Sequence, residues 1–247
     1  MQQVLLTVDR NERLTSDVFR MELIGDVGAI TTPGQFINIK LDGFSLRRPI
    51  SVCDVGENCV TVVYRVVGEG TFAMAKLRPG AVLDTLTGLG NGFDTSKSGE
   101  SPLLIGGGVG TPPMLYLCRK LREEGKRVQV VLGFRSASDV LLEEDFRALG
   151  AEVYIATEDG SCGTKGFVTD VMKTLQYSYF YTCGPMPMYR AIERTAVTDG
   201  QYSFEERMGC GFGACMGCSC KTLFGSKRIC TDGPVFERKE ILWEAQA

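Results

Sequence analysis

The 247-residue chain contains no histidine, and this absence excludes several kinds of chemistry. Nucleophilic catalysis by a Ser-His or Cys-His pair, zinc or haem sites with an imidazole ligand, and Rieske-type clusters all need the missing residue. Any chemistry carried out by this chain must therefore use cysteines, carboxylates, the backbone or a bound cofactor.

The chain also lacks the features of membrane, secreted and nucleic-acid-binding proteins. No stretch approaches the roughly 20 apolar residues of a membrane span, and the N-terminus has no basic segment followed by an apolar run, as a signal peptide would. A net charge of -3 and an isoelectric point near 5.3 give no basic face for nucleic acid. We therefore expect a soluble cytoplasmic protein without a membrane or nucleic-acid partner.

Ten cysteines, in contrast, are present and are unevenly distributed. Five are scattered before residue 200, and five crowd into residues 210–230. In a cytoplasmic protein such crowding indicates metal binding rather than disulfides. The change in density also predicts a separate C-terminal domain, which we place at residues 204–247.

The preceding residues fall into two regions. Up to residue 98, short runs rich in β-branched residues alternate with Pro-Gly and Asp-Gly turns, which predicts a small antiparallel β-barrel. One short helix is expected there at residues 72–77, with Thr71 as its N-cap. Residues 99–203 alternate strands with amphipathic stretches, which predicts a doubly wound parallel sheet.

Four cysteines form the most specific motif, C-x4-C-x2-C followed by eleven residues and a fourth cysteine: Cys210, Cys215, Cys218 and Cys230. This spacing is that of plant-type [2Fe–2S] sites, whose loop glycines let backbone N–H groups face the sulfides. A four-cysteine zinc site is the alternative, but it favours paired C-x2-C motifs, and one pair is missing. Cys220 also competes for the fourth position. We favour Cys230, because Cys218 and Cys220 are too close in sequence to occupy opposite ligand positions.

Two glycine-containing turns in the second region are candidates for nucleotide binding. The first follows a predicted strand and opens a helix, where backbone N–H groups can hold a pyrophosphate, although a threonine replaces the third glycine of G-x-G-x-x-G. A tight packing turn is the alternative. The second turn ends a later strand of the same sheet, so both are expected to face one crevice. The residues are Gly106, Gly107, Gly108, Gly110 and Thr111, and then Cys183, Gly184 and Pro185.

Two motifs of the β region could hold another phosphate-bearing ligand. Arg48 could bind a phosphate, and Ser51 could reach a second atom of the same ligand. Gly70 and Thr71, at the start of the short helix, form a second candidate. A solvated arginine at a strand edge and an ordinary helix cap are the structural alternatives.

Taken in order, these motifs resemble the ferredoxin reductase superfamily. The flavin-binding elements of that superfamily resemble Arg48-Pro49-Ile50-Ser51, Val63-Tyr64-Arg65 and Gly70-Thr71, and its pyridine-nucleotide elements resemble residues 106–113 and 183–185. Residues 206–218 and 230–236 closely resemble the electron-transfer subunits of two-subunit, NAD-dependent dihydroorotate dehydrogenases.

The resemblance implies three domains: an FAD-binding antiparallel β-barrel at 1–98, an NAD-binding doubly wound α/β domain at 99–203 and a small [2Fe–2S] domain at 204–247. It implies that Arg48 and Ser51 contact FAD, with Ser51 near the reactive edge of the ring. It further implies that residues 63–65 line the flavin, that Gly70 and Thr71 bind its pyrophosphate, and that Cys183 lies near the nicotinamide. No residue is assigned as catalytic, because the cofactors carry the redox chemistry.

The resemblance also implies a partner, a catalytic subunit carrying FMN that oxidises dihydroorotate to orotate in pyrimidine (UMP) biosynthesis. Electrons would pass through the cluster and FAD to NAD+, in a heterotetramer with two copies of each subunit. A ferredoxin–NAD(P) reductase subunit of a bifurcating or sulfide-linked complex shares the domain order, but it tends to have Asp where this chain has Cys210. A non-catalytic binding module or zinc-stabilised scaffold is opposed by three cofactor motifs in the expected order.

The sequence carries two indications of the nucleotide preference. No acidic residue stands in the usual place, about 20 residues after the first turn, to hold a ribose hydroxyl. Arg135 could accept a 2′-phosphate, which would favour NADP. The resemblance favours NAD, with Asp139 or Glu158 supplying the carboxylate.

Overall fold

Six antiparallel strands close into a barrel in the computed structural model, which describes residues 1–245. The strands are β1 Gln2–Arg13, β2 Val18–Ile24, β3 Phe36–Ile39, β4 Arg48–Val55, β5 Cys59–Arg65 and β6 Val82–Leu89. Around the barrel they follow the order β1-β2-β5-β4-β3-β6. Alternate apolar side chains such as Leu6, Met21 and Ile37 fill the interior, as the period-2 pattern requires. The predicted antiparallel barrel is confirmed.

The short helix of the barrel region begins earlier than predicted. Helix α1 spans Glu69–Ala75, and its N-cap is Gly68 rather than Thr71. Thr71 is the third residue of the helix, and its Oγ1 accepts hydrogen bonds from the N–H groups of Val67 and Gly68 at 2.9 and 3.2 Å. The prediction was wrong because a threonine at this position can satisfy the N–H groups ahead of the helix by reaching backwards.

The second region is a parallel sheet with alternating helices. Its elements are β7 Leu103–Gly107, α2 Pro113–Glu123, β8 Gln129–Phe134, α3 Glu143–Ala148, β9 Glu152–Thr157, β10 Thr164–Lys165, α4 Val168–Met172, β11 Phe180–Cys183, α5 Met186–Thr195 and β12 Gly200–Ser203. The sheet order is β10-β9-β8-β7-β11-β12, so the chain direction across the sheet reverses between β7 and β11. The predicted doubly wound parallel sheet is confirmed.

The C-terminal residues form a hairpin and then join the large sheet. Strands β13 Ser219–Thr222 and β14 Gly225–Arg228 pair with each other, and β15 Val235–Glu237 pairs antiparallel with β12. One apolar cluster contains Phe36 of the barrel, Tyr202 of the sheet and Cys230 of the C-terminal segment, so the three regions share core contacts. No helix among residues 1–245 is long and apolar enough to cross a membrane.

Candidate functional site

The two predicted nucleotide turns lie side by side at one edge of the parallel sheet. Strands β7 and β11 pair in register, with Gly106 opposite Cys183. This is the pair at which the strand order reverses, and ligands of such sheets bind in the crevice beyond the carboxyl ends of the strands at that point. The structure therefore brings the two turns together in the way the sequence predicted.

The glycines of these turns permit backbone segments to approach each other closely. A Cβ at Gly110 would overlap the carbonyl group of Cys183, and a Cβ at Gly184 would overlap the thioether of Met188. Gly108 differs, because it has a φ of +52° and a Cβ added there would meet no atom within 4 Å. Its backbone faces open space, so a ligand can approach it.

Tyr189 organises the second turn, and no sequence motif pointed to it. Its hydroxyl accepts a hydrogen bond from the N–H of Gly184 at 2.9 Å and donates one to the carbonyl oxygen of Ser203. The neighbouring Cys183 side chain is fully buried, and this burial raises the pKa of its thiol. Cys183 is therefore a neutral packing group of the crevice wall rather than a thiolate nucleophile.

An unpaired hydroxyl lies in the first turn. Thr111 is fully buried, and its Oγ1 has no hydrogen-bond partner among the described residues. A Cβ at Gly106 would lie 2.9 Å from that oxygen, so the hydroxyl is packed against the end of β7. Buried polar atoms normally have a hydrogen-bond partner. The unpaired Oγ1 of Thr111 is therefore consistent with a turn that binds a polar ligand.

The flavin motif of β4 meets the start of helix α1. A Cβ at Gly70 would overlap the guanidinium group of Arg48, which also lies 4.8 Å from the centroid of the Phe44 ring. No ion pair between Arg48 and a carboxylate occurs among residues 1–245. A cation without a carboxylate partner, beside backbone N–H groups at a helix start, suits a phosphate group.

The second flavin motif, residues 63–65, makes its polar contacts within the barrel. The Tyr64 hydroxyl donates to Oδ1 of Asn11 at 2.9 Å, and burial raises the pKa of Tyr64 to about 12. Arg65 pairs with Asp17 at 3.1 Å, and Val63 is buried. The Tyr64 hydroxyl and the Arg65 charge thus have partners within the barrel, and the Val63 and Tyr64 side chains are both buried.

The flavin strand and the cysteine loop share one face of the barrel. Residues directly opposite each other on antiparallel strands point to the same side of a sheet. The β3–β4 register places Pro49 opposite Asn38 and Ser51 opposite Phe36. Phe36 packs in the apolar cluster that contains Cys230, and Asn38 donates a hydrogen bond to the carbonyl oxygen of Cys210 at 3.1 Å.

The four predicted ligand cysteines lie close together in two pairs. Electrostatic and hydrogen-bond contacts join Cys210 with Cys215 and Cys218 with Cys230, and Cys230 also interacts with Cys210. The N–H of Cys230 donates to Sγ of Cys218 at 3.4 Å. Two pairs of thiols suit the two irons of a [2Fe–2S] cluster, each of which takes two of the four ligands.

The loop favours a charged thiolate at Cys210. Although burial acts to raise it, hydrogen bonds from the N–H groups of Phe212, Cys215 and Ala214 lower the pKa of Cys210 to about 6. The Ala214 bond to Sγ is 3.2 Å long. Such donors suit an iron-bound thiolate, since only the deprotonated sulfur ligates metal.

Cys220 has different neighbours. It is buried opposite Lys227 on the hairpin, and burial together with the charge of Glu240 raises the pKa of its thiol to about 11. Lys227 and Glu240 form an ion pair at 2.7 Å beside it. Cys230, in contrast, interacts with both Cys218 and Cys210, and this position supports Cys230 as the fourth ligand.

The ends of β8 and β9 surround the position expected for the nucleotide ribose. The N–H of Glu158 donates to the carbonyl oxygen of Phe134 at 3.1 Å, which holds the two strand ends together. Oδ2 of Asp139 accepts from the Ser136 hydroxyl at 3.0 Å. Arg135 and Glu158 are both exposed at this edge.

Comparison with known proteins identifies the family. The model of the iron-sulfur cluster binding domain of dihydroorotate dehydrogenase B matches residues 205–242, and that of the oxidoreductase NAD-binding domain matches residues 104–194. The dihydroorotate dehydrogenase B (NAD(+)) electron transfer subunit of Fusobacterium nucleatum is 42% identical, covering 95% of this chain and 96% of its own length. That of Bacillus velezensis is 43% identical, covering 98% and 99%. The chain belongs to this family of electron transfer subunits.

Solved structures agree with the fold. The NADH-dependent reduced ferredoxin–NADP oxidoreductase, described for flavin-based electron bifurcation, superposes with a TM-score of 0.88 at 27% identity, covering 98% of this chain and 91% of that chain. A ferredoxin NADP+ reductase from Neisseria gonorrhoeae with bound FAD and NADP shares the fold at a TM-score of 0.69 and 13% identity, covering 79% and 90%. Family and fold together confirm the predicted oxidoreductase function in electron transfer and the predicted cofactors FAD, [2Fe–2S] and NAD.

Proposed function

We propose that this electron transfer subunit connects the FMN of a dihydroorotate dehydrogenase catalytic subunit to NAD+ in pyrimidine biosynthesis. Cys210, Cys215, Cys218 and Cys230 would hold the cluster, β4 and the start of α1 would hold FAD, and the crevice between β7 and β11 would hold NAD. A flavin exchanges electrons singly with a cluster and as hydride with a nicotinamide, which is the chemistry these cofactors supply when bound. The complex would be a cytoplasmic heterotetramer with two copies of each subunit.

The observation that carries this proposal is the position of β4 between the other two sites. On one side, α2, which follows the nucleotide turn, is attached to β4 by Arg119, whose guanidinium donates to Asp54 at 2.6 Å and to the Val55 carbonyl. On the other side, β3 joins β4 to the cysteine loop through Asn38. A cofactor on β4 would therefore have a nucleotide site and a cluster site as neighbours.

The position of β4 between the two other sites also supports the three domains proposed from the sequence, at residues 1–98, 99–203 and 204–247. Each contains one candidate cofactor site. The chain's own residues bind and orient the cofactors, and the buried neutral thiol of Cys183 adds no charge to the crevice wall.

The proposal also concerns the surface that meets the catalytic subunit. Four large apolar side chains near the cysteines are exposed: Phe212, Met216, Leu223 and Phe224, with Phe224 at 74% exposure. Electrons must enter near the cluster, so a partner would cover this part of the surface. We expect Met216→Glu to weaken complex formation, and undiminished assembly would contradict this part of the proposal.

We propose NAD rather than NADP as the nucleotide, with Glu158 near the ribose. An exposed carboxylate at the end of β9 would repel a 2′-phosphate, while Arg135 at the end of β8 would attract it. Glu158→Gln should therefore raise kcat/KM for NADPH relative to NADH. A wild-type protein that prefers NADPH would show that Arg135 decides the specificity.

Reconstitution tests the proposed function as a whole. The chain is coexpressed with an FMN-containing dihydroorotate dehydrogenase catalytic subunit, and copurification, mass and dihydroorotate-dependent NAD+ reduction are measured. We expect a complex with equal numbers of the two chains that reduces NAD+, whereas this chain alone should not oxidise dihydroorotate. Turnover of dihydroorotate by the isolated chain would contradict the proposal.

A second measurement separates the cluster from the zinc alternative. The purified chain should contain iron and acid-labile sulfide in equal amounts, together with flavin. Stoichiometric zinc without iron would overturn the assignment of the four cysteines.

A further inference from the structure

Asn38 lies where the barrel meets the cysteine loop. It is in the middle of β3, its side chain is fully buried, and its Nδ2 donates to the carbonyl oxygen of Cys210 at 3.1 Å. The loop approaches this side chain so closely that a Cβ on Gly211, which has a φ of +76°, would overlap the Asn38 amide. Asn38 is therefore a direct contact between the flavin barrel and the first ligand residue of the loop.

The other end of the same amide has no hydrogen-bond partner. Oδ1 of Asn38 is inaccessible to solvent and unpaired among the described residues. Rotating the amide would place Oδ1 against the Cys210 carbonyl oxygen, so the donor bond fixes the orientation. A buried acceptor without a partner destabilises the folded state, because it has lost its hydrogen bonds to water. An apolar side chain of similar shape would avoid this cost but would leave the Cys210 carbonyl without its donor, so the asparagine brings the fold little net stability.

The position of Asn38 on the sheet links this contact to the flavin strand. Asn38 is directly opposite Pro49 of β4, and Phe36 is directly opposite Ser51, so all four residues occupy the same face. A shift of the cysteine loop away from Asn38 would change the separation between the two candidate cofactor sites.

We propose that Asn38 is a positioning residue for electron transfer between the cluster and the flavin. Its amide holds the Cys210 loop at a fixed place against the barrel, at a cost in stability from its unpaired Oδ1. This inference rests on the proposed ligand role of Cys210 and on the proposed binding of FAD at β4.

A matched pair of variants tests the proposal in the cofactor-loaded chain. Asn38→Leu removes the donor and the orphan oxygen while keeping the shape. Asn91→Leu is the control, because Asn91 also joins the barrel to the C-terminal segment, but through the N–H and C=O groups of Val235 at 3.1 and 2.7 Å. The measurements are the melting temperature, the EPR spectrum of the reduced cluster, the rate of flavin reduction by NADH and the rate of the following cluster reduction.

The expected results for the two variants differ in both kinds of measurement. Asn38→Leu should melt within about 2 °C of the wild type, because losing the donor to Cys210 offsets losing the unpaired oxygen, while cluster reduction slows by about tenfold and flavin reduction by NADH stays within about twofold. Its EPR spectrum should broaden as the loop takes several positions. Asn91→Leu should melt at a lower temperature and keep the wild-type rate and spectrum of the cluster.

Several results would overturn the proposal. Cluster reduction at the wild-type rate in Asn38→Leu would do so, as would a slower rate accompanied by a melting temperature lowered as in Asn91→Leu. If Asn38→Leu does not fold, Asn38→Ala, which also removes the donor, decides by the same rates. A wild-type chain without iron would overturn the proposed function as well, whereas an unaffected variant of an iron-containing chain overturns this inference alone.

Discussion

The nucleotide crevice and the cysteine loop are built in different ways. The crevice is formed by the register of two buried strands, and Gly110 lets the backbone of the first turn pack on the backbone of the second. Most residues of the loop between 205 and 217 are exposed, and polar contacts hold it, among them Arg228 to the Gly213 carbonyl at 2.7 Å. The crevice is therefore a consequence of the fold, while the shape of the loop depends much more on what its cysteines bind.

The largest effect should follow from removing one ligand of the loop. Cys215→Ser should lose the cluster, because a serine hydroxyl is a poor replacement for a soft thiolate. Iron and sulfide per chain should fall to near zero, while flavin content and NADH-driven flavin reduction persist. Cys220→Ser is the control and should keep its iron; loss of iron in this control would reassign the fourth ligand.

The next largest effect should follow from filling the crevice. Gly110→Ala places a methyl group into the Cys183 backbone, which cannot move without disturbing β11, so we expect a loss of about 3 kcal/mol in unfolding free energy. Gly108→Ala has free space and should cost only about 1 kcal/mol from its positive φ. Urea unfolding measures the free energy of unfolding of both variants. Equal losses would show that the Cys183 backbone moves aside for a methyl group, so that the crevice would be no more rigid than the loop.

A smaller effect is expected from the hydroxyl that braces the second turn. Tyr189→Phe leaves the Gly184 N–H and the Ser203 carbonyl without partners and should cost about 1.5 kcal/mol and weaken NADH binding. Tyr154→Phe, which removes an exposed hydroxyl near Glu152, should cost less than about 0.5 kcal/mol. Indistinguishable NADH affinities for the two variants would contradict a bracing role.

The smallest effect should arise in the barrel, which contacts both the crevice domain and the cysteine loop. Burial acts to raise the pKa of Asp84, but hydrogen bonds from Arg47 at 2.9 Å and Gln3 at 3.0 Å lower it below its ordinary value. A carboxyl whose pKa is lower in the folded state stabilises the fold above about pH 4 and loses that contribution as the pH falls further. Asp84→Asn should cost about 0.5 kcal/mol at pH 7 and nothing near pH 2. A cost that does not depend on pH would show that the charge is unimportant.

The sequence was a good guide where a local pattern determines geometry. Strand-like runs and turn signals predicted the barrel, and strand–helix alternation predicted the parallel sheet with both turns in one crevice. The start of α1 was predicted wrongly, because Thr71 caps from inside the helix rather than ahead of it.

Contacts between distant segments could not be read from the sequence. Asn38 and Cys210 are 172 positions apart, and nothing local to Asn38 indicates a bond to a cysteine loop. Tyr189 resembled any helix aromatic residue until the fold placed its hydroxyl between Gly184 and Ser203. The individual cofactor-binding residues stay predictions, because their roles depend on groups that the chain binds.

Anaerobic reduction by NADH, followed by absorption and EPR, tests the central claim most directly. We predict that the flavin of the isolated wild-type chain is reduced first, and that a [2Fe–2S] EPR signal of about one spin per chain then appears. The signal should be absent from Cys215→Ser, although its flavin is still reduced. A chain that binds flavin and oxidises NADH but never develops this signal would contradict the account.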